Sequence, residues 1–527
     1  MRKFLALLPV FGLIFMACED DDTTVGPITP TPDPIVITSG SADFSNYVSI
    51  GNSLTAGFSD NALFISGQVA SFPNMLASQF ALAGGGDFNI PFMADDLGGM
   101  TLGGNPIAGN RLFLSFASGS PAPVPVAGQG STEITNVLSG SFNNMGVPGA
   151  KSYHLLAPGY GNVQGVAAGL ANPYYARFAS SPNARIIDDA VAQNPTFFTL
   201  WIGNNDILSY AIAGGAGIDQ TGNPDPSTYG GSDISDPMVV AGSIQAMLED
   251  LTENGANGVI ANLPDVTTIP FLTTVPFAPL SPENPDFAPQ IPVLNAQFAG
   301  LNQAFDFLGV PDRKLTFNET AASAVVIKDE SLPDISTQLT QVLVGGGLDV
   351  GTATVLGLVY GQARQATADD LLVLTSQNVI ATLNEDAFAF LQGLGVDPAT
   401  AGQLAVNGVT WPLEDQWVLT PDEQDTANTA LMAYNQSIEQ LATNYDLAFV
   451  DANSLLAEIN ENGFPLADGS VVTGVFATGG GFSLDGVHPS PRGYAILANA
   501  FADAIDEKYG SNLPGVNPLD FTGLYIN

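Results

Sequence analysis

The sequence predicts an α/β fold built on a parallel sheet with helices on both faces, and three observations carry that expectation. Short β-branched or aromatic runs recur at wide spacing, stretches of helical periodicity lie between them, and a composition of 45% hydrophobic against 12% charged residues supplies a large core. The runs are Asn46–Gly51 (NYVSIG), Thr196–Gly203 (TFFTLWIG), Gly258–Leu263 (GVIANL) and Leu447–Asp451 (LAFVD). Each is nearly continuous in apolar character, as strands buried on both faces are. Helical patterns occupy Phe72–Phe80, Asp425–Leu441 and Gly493–Ile505. Strand alternating with helix makes successive strands parallel, because the crossover helix returns the chain to the same end of the sheet.

Two stretches interrupt the alternation. Residues 84–140 are dense in Gly, Pro and Ser and read as long loops beside the site. Residues 270–422 carry apolar helical patterns, such as Leu339–Val344 (LTQVLV) and Val355–Tyr360 (VLGLVY), and read as a large, mostly helical, lid-like insertion. The apolar span 342–361 contains Asp349 and several glycines, so cap helices are the better reading there than a membrane span. A chain of 527 residues accommodates either one core with insertions or two domains; no fixed-period repeat is apparent, and residues 44–527 are read as one domain.

Arg2 and Lys3 precede the apolar run Phe4–Met16, followed by Ala17 and Cys18. Residues 1–17 read as a secretory signal peptide, too short to span a bilayer. Cys18 is the chain's one cysteine, so it has no intramolecular disulfide partner, and its place after a small residue suits lipidation. Residues 18–43, with the acidic run Glu19–Asp22 and a Pro/Thr-rich stretch, read as a tether. The N-terminus resembles a bacterial lipoprotein signal, although Phe15 and Met16 stand where such signals usually carry Leu and a small residue. The acidic run resembles the surface-export signal of lipoproteins in Bacteroidetes-type bacteria. These resemblances imply a lipid-anchored protein of the cell envelope, in the outer membrane and with the cell surface as one destination. Cleavage by the general signal peptidase, and an acidic run that is only a solvated spacer, are the alternatives.

Twelve Lys and Arg stand against 52 Asp and Glu, a formal charge of −40 that becomes −42 without residues 1–17. Nucleic acid is bound through clustered cations, so this balance argues against it as a partner. Two histidines and one cysteine leave no cluster of metal ligands, and neither a metal nor a cofactor is expected.

Four separated segments carry the chemistry. Ile50–Gly57 (IGNSLTAG) places Ser53 at the end of the first strand and the entry to a helix, where backbone N–H groups favour developing negative charge. Asn143–Ala150 (NNMGVPGA) is by itself a glycine-rich turn whose backbone can approach a substrate oxygen closely. Gly203–Asp206 (GNND) follows a strongly hydrophobic strand. Asp485–Pro489 (DGVHP) sets a carboxylate three residues before His488. The other histidine, His154, has no carboxylate nearby in sequence and is read as structural.

In this order the four segments resemble the SGNH, or GDSL-type, hydrolases. The resemblance runs from about Phe44 to the C-terminus, outside the two insertions, with Gly203–Asp206 matching the family's G-x-N-D and Asp485–Pro489 its D-x-x-H-P. It implies a three-layer α/β/α, flavodoxin-like sheet and a serine esterase or lipase. Ser53 would be the nucleophile, His488 and Asp485 the proton-handling pair, and Gly146, Asn205 and the N–H of Ser53 the oxyanion hole. The family's first block usually reads Gly-Asp-Ser-Leu; Asn52 replaces that aspartate. The substrate expected is a carboxylic ester, with lipid-like esters favoured because the apolar insertion would line an acyl groove. A non-catalytic binding lipoprotein, a glycan deacetylase and an acyltransferase remain the alternatives.

Overall fold

In the computed structural model, which describes residues 36–117 and 119–526, the β-branched runs form one five-stranded parallel sheet. Its strands are β1 (Tyr47–Gly51), β2 (Asn144–Gly146), β3 (Phe197–Trp201), β4 (Asn257–Ala261) and β5 (Ala448–Val450). Their order is β5-β4-β3-β1-β2, the 2-1-3-4-5 arrangement of flavodoxin-like doubly wound sheets. The register pairs Gly51 with both Gly146 and Trp201, so the carboxyl ends of the central strands lie along one edge. From β1 the chain first goes out to β2 and then crosses back to β3, which makes the β1/β3 boundary the point where strand order reverses. Ligands of open α/β sheets bind outside that point.

The strands are buried throughout except at Asn257 and Phe449. The helices that serve the sheet are α1 (Ser53–Ala56), α2 (Phe72–Leu82), α3 (Asn205–Ile212), α4 (Pro237–Thr252), α5 (Pro421–Asn444), α6 (Ala452–Glu461) and α7 (Pro491–Tyr509). α2 packs with α7, and α3 and α4 pack with α5. Together with the strands they enclose a core that includes Phe72, Trp201, Phe197, Tyr434 and Phe501. Residues Ile37–Asn527 make a single compact unit. The signal-peptide reading, Cys18 and the greater part of the tether lie outside the described residues.

Three local expectations change. Asn144–Gly146 is the edge strand β2, not merely a turn; three residues are too short a run to show alternation. The segment 84–140 is not loop alone. It holds a small sheet of Asn105–Ala108, Met100–Leu102 and Thr132–Glu133, and a hairpin of Leu112–Ser115 with Ala122–Pro125. Gly103 and Gly104, at φ +60° and +81°, supply the two left-handed residues that a tight hairpin turn needs. The segment 270–422 is rich in helix as expected, including Ile291–Phe307, Ser336–Gly345 and Val350–Tyr360, but it also contains two short antiparallel ladders. Its apolar residues close on one another: Phe298, Leu301, Phe305, Leu339 and Tyr360 form a core of their own. Among the described residues no helix is long and apolar enough to cross a membrane.

Candidate active site

Ser53 is the first residue of α1, immediately past β1, and is almost fully buried at 6% exposure. Asn52 caps the helix. Its Oδ1 accepts the Leu54 N–H at 3.0 Å while its Nδ2 donates to Asn204 Oδ1 at 2.9 Å. The neutral amide thus both caps α1 and ties it to the start of α3, using an acceptor and a donor where a carboxylate has acceptors only.

His488 Nε2 lies 2.9 Å from Ser53 Oγ, and His488 Nδ1 lies 2.9 Å from Asp485 Oδ2. The carboxylate is held from all sides. Oδ1 accepts from the N–H groups of Val487 and His488 at 2.8 Å each and from Ser483 Oγ at 3.0 Å, and Oδ2 also accepts from Asn61 N–H at 3.0 Å. Burial alone would raise the Asp485 pKa. The charge of His488, its hydrogen bond and the two loop N–H groups outweigh burial and hold the pKa at about 2. Phe58 packs on the imidazole at 4.7 Å between ring centroids, and Gly486 turns the loop at φ +72°. A carboxylate fixed on Nδ1 leaves Nε2 facing the serine hydroxyl, the tautomer a general base requires.

Asn205 opens α3 after β3, where Gly203 makes the bend at φ +113°. Its Nδ2 donates one hydrogen to Ala150 O at 2.9 Å, so the second hydrogen of the amide is available to a ligand. Asp206 reinforces the same joint, accepting from Ser152 N–H at 2.8 Å and Ser152 Oγ at 2.9 Å. The expected role of Gly146 does not fit its place. Its N–H is taken by Asn144 Oδ1 at 2.9 Å, and it sits inside β2 so close to α1 that a Cβ would meet Ala56 N at 2.3 Å. Its smallness serves strand–helix packing. Three residues later Gly149 is exposed, left-handed at φ +79°, and its N–H has no hydrogen-bond partner among the described residues.

Asp60 was not singled out by any motif. It lies at φ +50° behind Asp485, with Oδ1 accepting the Leu484 N–H at 3.1 Å and its own N–H donating to Ser483 Oγ at 2.9 Å. Burial pushes its pKa up to about 7 against the Leu484 hydrogen bond, and the charge of Asp485 adds to the rise. Only its left-handed turn with Asn61 would have marked it in sequence, and Asp–Asn turns are too common to do so. His154 stays structural: Nδ1 accepts the Lys151 N–H at 3.0 Å and the ring stacks on Tyr160 at 4.5 Å. Burial, aided by Lys151, lowers its pKa to about 4.

Beside Ser53 and His488 opens an apolar pocket of about 110 Å³. Its walls come from the start of α3, the segment Pro264–Ile269 after β4, α6, Val472, and the His488 loop with α7. Among the described residues that line it, none belongs to 270–422, so the expectation that the insertion lines this groove is not met. No set of three or more His, Cys, Asp or Glu among the described residues is arranged to hold a metal ion.

A parallel α/β sheet with a hydrogen-bonded Ser–His–Asp chain at its switch point is the class of molecule that fold and site define. No family model matches the chain, and no curated protein matches it. Among solved structures, a protein of Parabacteroides merdae described as a putative GDSL-like lipase aligns with 60% of this chain and 99% of its own length. The identity is 14% and the TM-score 0.19, values too low to carry an argument about this chain.

Proposed function

We propose that the protein is a serine ester hydrolase on a three-layer SGNH-type fold, cleaving carboxylic esters through an acyl-enzyme. The observation that carries this reading is the continuous chain Ser53 Oγ, His488 Nε2, His488 Nδ1, Asp485 Oδ2, each contact 2.9 Å, closed across 435 residues of sequence. Ser53 Oγ attacks the ester carbonyl carbon as His488 Nε2 takes its proton, and Asp485 supports the imidazolium. The oxyanion is received by the N–H of Ser53, the free hydrogen of Asn205 Nδ2 and, in place of Gly146, the N–H of Gly149 on the turn that Asn205 grips. Collapse returns the proton from His488 to the departing alcohol. Water, activated by the same nitrogen, then releases the acid and restores Ser53.

The departure at Asn52 from the family's aspartate is the sequence feature that would favour a binding protein without turnover. Its Oδ1 caps α1 and its Nδ2 bridges to Asn204, so the amide has a structural role beside the nucleophile, which weakens that support. The test is labelling with a fluorophosphonate and turnover of p-nitrophenyl esters by residues 42–527. Labelling at Ser53 and turnover, both abolished in Ser53→Ala, support the reading; equal inertness of both proteins would overturn it. We further propose that Cys18 carries the lipid that holds the enzyme at the envelope. Labelled fatty acid should enter the full chain and be lost in Cys18→Ala, and label that persists would refute the anchor.

A further inference from the structure

We infer that the pocket beside Ser53 receives the acyl chain of the ester, and that α6, not the large insertion, sets how long that chain is. The inference rests on the ester-hydrolase reading. Of the residues of α6 only Ala452 is buried, yet Leu455, Leu456 and Ile459 are half-buried and lie along the pocket wall. Leu455 and Ile459 pack on the small cluster of Leu466, Val472 and Ile496 and remain only partly covered; an apolar wall left partly open beside a nucleophile gains by taking up hydrocarbon there. Val472 and Ile496, both nearly fully buried, also line the pocket, so part of its wall belongs to the protein interior. An apolar pocket walled partly by the interior and adjoining Ser53 suits the acyl part in particular. The alcohol must leave after the first step and water must reach His488, whereas the acyl group stays on Ser53 through both.

The side on which the pocket lies agrees. Asn205 and Leu208 of α3 and Val266 and Ile269 after β4 place it next to the proposed oxyanion donor. The groove by Asp485 that includes Phe271 and Leu374 of the insertion has neither Ser53 nor His488 in its lining. Many apolar residues of the insertion are instead engaged in a core of their own, while Leu272, Val373 and Leu419 join the main core.

Two ester series measured on the full chain test this, one lengthening the acyl chain on p-nitrophenol, the other lengthening the alcohol of an acetate. We expect kcat/KM to rise about two- to fourfold per methylene along the acyl series until the pocket is full, with little change along the alcohol series. Leu456→Trp should lower the octanoyl-to-acetyl ratio tenfold or more, and Leu456→Gln should lower it less. Ser53-dependent hydrolysis that is indifferent to acyl length, that follows alcohol length, or whose ratio both Leu456 variants leave unchanged overturns the inference and spares the hydrolase reading. If no ester is turned over, the hydrolase reading fails. The pocket is then judged by displacement of a fluorescent fatty acid from Ser53→Ala: displacement that Leu456→Trp weakens keeps the pocket assignment, and no binding ends it.

Discussion

Two regions of the molecule bury carboxylates, and the partner each provides separates them. At the sheet edge Asp485 is saturated by loop N–H groups, Ser483 and the imidazole of His488. In the insertion Asp329 and Asp370 share Arg364, whose Nε lies 2.6 Å from Asp329 and whose two terminal nitrogens lie 2.6 and 2.7 Å from Asp370. A guanidinium never releases its proton, so the second cluster is a fastener joining three separated strand ends and turns. An imidazole gains and loses a proton readily, so the first cluster can do proton transfer. Similar burial of charge therefore suits architecture in one region and the proposed proton transfer in the other.

The contrast is broken or sharpened by substitutions on each side. The largest effect is expected for Asp485→Asn, which keeps the shape but changes the tautomer of His488: ester turnover should fall about 10⁴-fold with the fold intact by circular dichroism. Arg364→Met should do the reverse. It leaves two buried carboxylates without their cation and should cost about 3–5 kcal/mol in denaturant unfolding, while turnover per folded molecule is kept. Asn205→Ala removes one proposed oxyanion donor and should lower kcat about 10²–10³-fold, with KM little changed in steady-state assays.

The smallest effect concerns Asp60, whose pKa stands at about 7 in the folded chain against an ordinary 3.8. Between those values the folded state holds a proton that the unfolded state has released. The stabilisation is complete below 3.8 and is lost as pH rises through about 7. In scanning calorimetry Asp60→Asn should therefore gain on the parent as pH goes from about 5 to 8. An unchanged difference in melting temperature across that window would show that Asp60 does not titrate there.

Four of the five strands and the segments around Ser53, Asn205, Asp485 and His488 were legible because each lies in a local pattern: a run of apolar, β-branched or aromatic residues, or a few residues at fixed spacing. The tight turn Gly103-Gly104 was legible too, between Thr101-Leu102 and Asn105-Pro106, but was absorbed into a loop by the surrounding Gly and Pro. The acyl-groove expectation placed on residues 270–422 failed for a different reason. Apolar periodicity says that a helix face will be covered, and says nothing of what covers it.

What the sequence determined by itself was the α/β character, the positions of the longer strands and helices, and the residue types fit for acyl transfer. Only the tertiary structure decided the strand order that makes β1/β3 the switch point, the 2.9 Å contacts that join residue 53 to residue 488, and the engagement of the Gly146 N–H. It also decided that α6 walls the pocket and that Asp60 stands behind Asp485. The physical reason is the range of the interactions. Propensity and burial period act over a few residues and are written along the chain, whereas hydrogen bonds and pocket walls depend on which distant segments the packed sheet brings together.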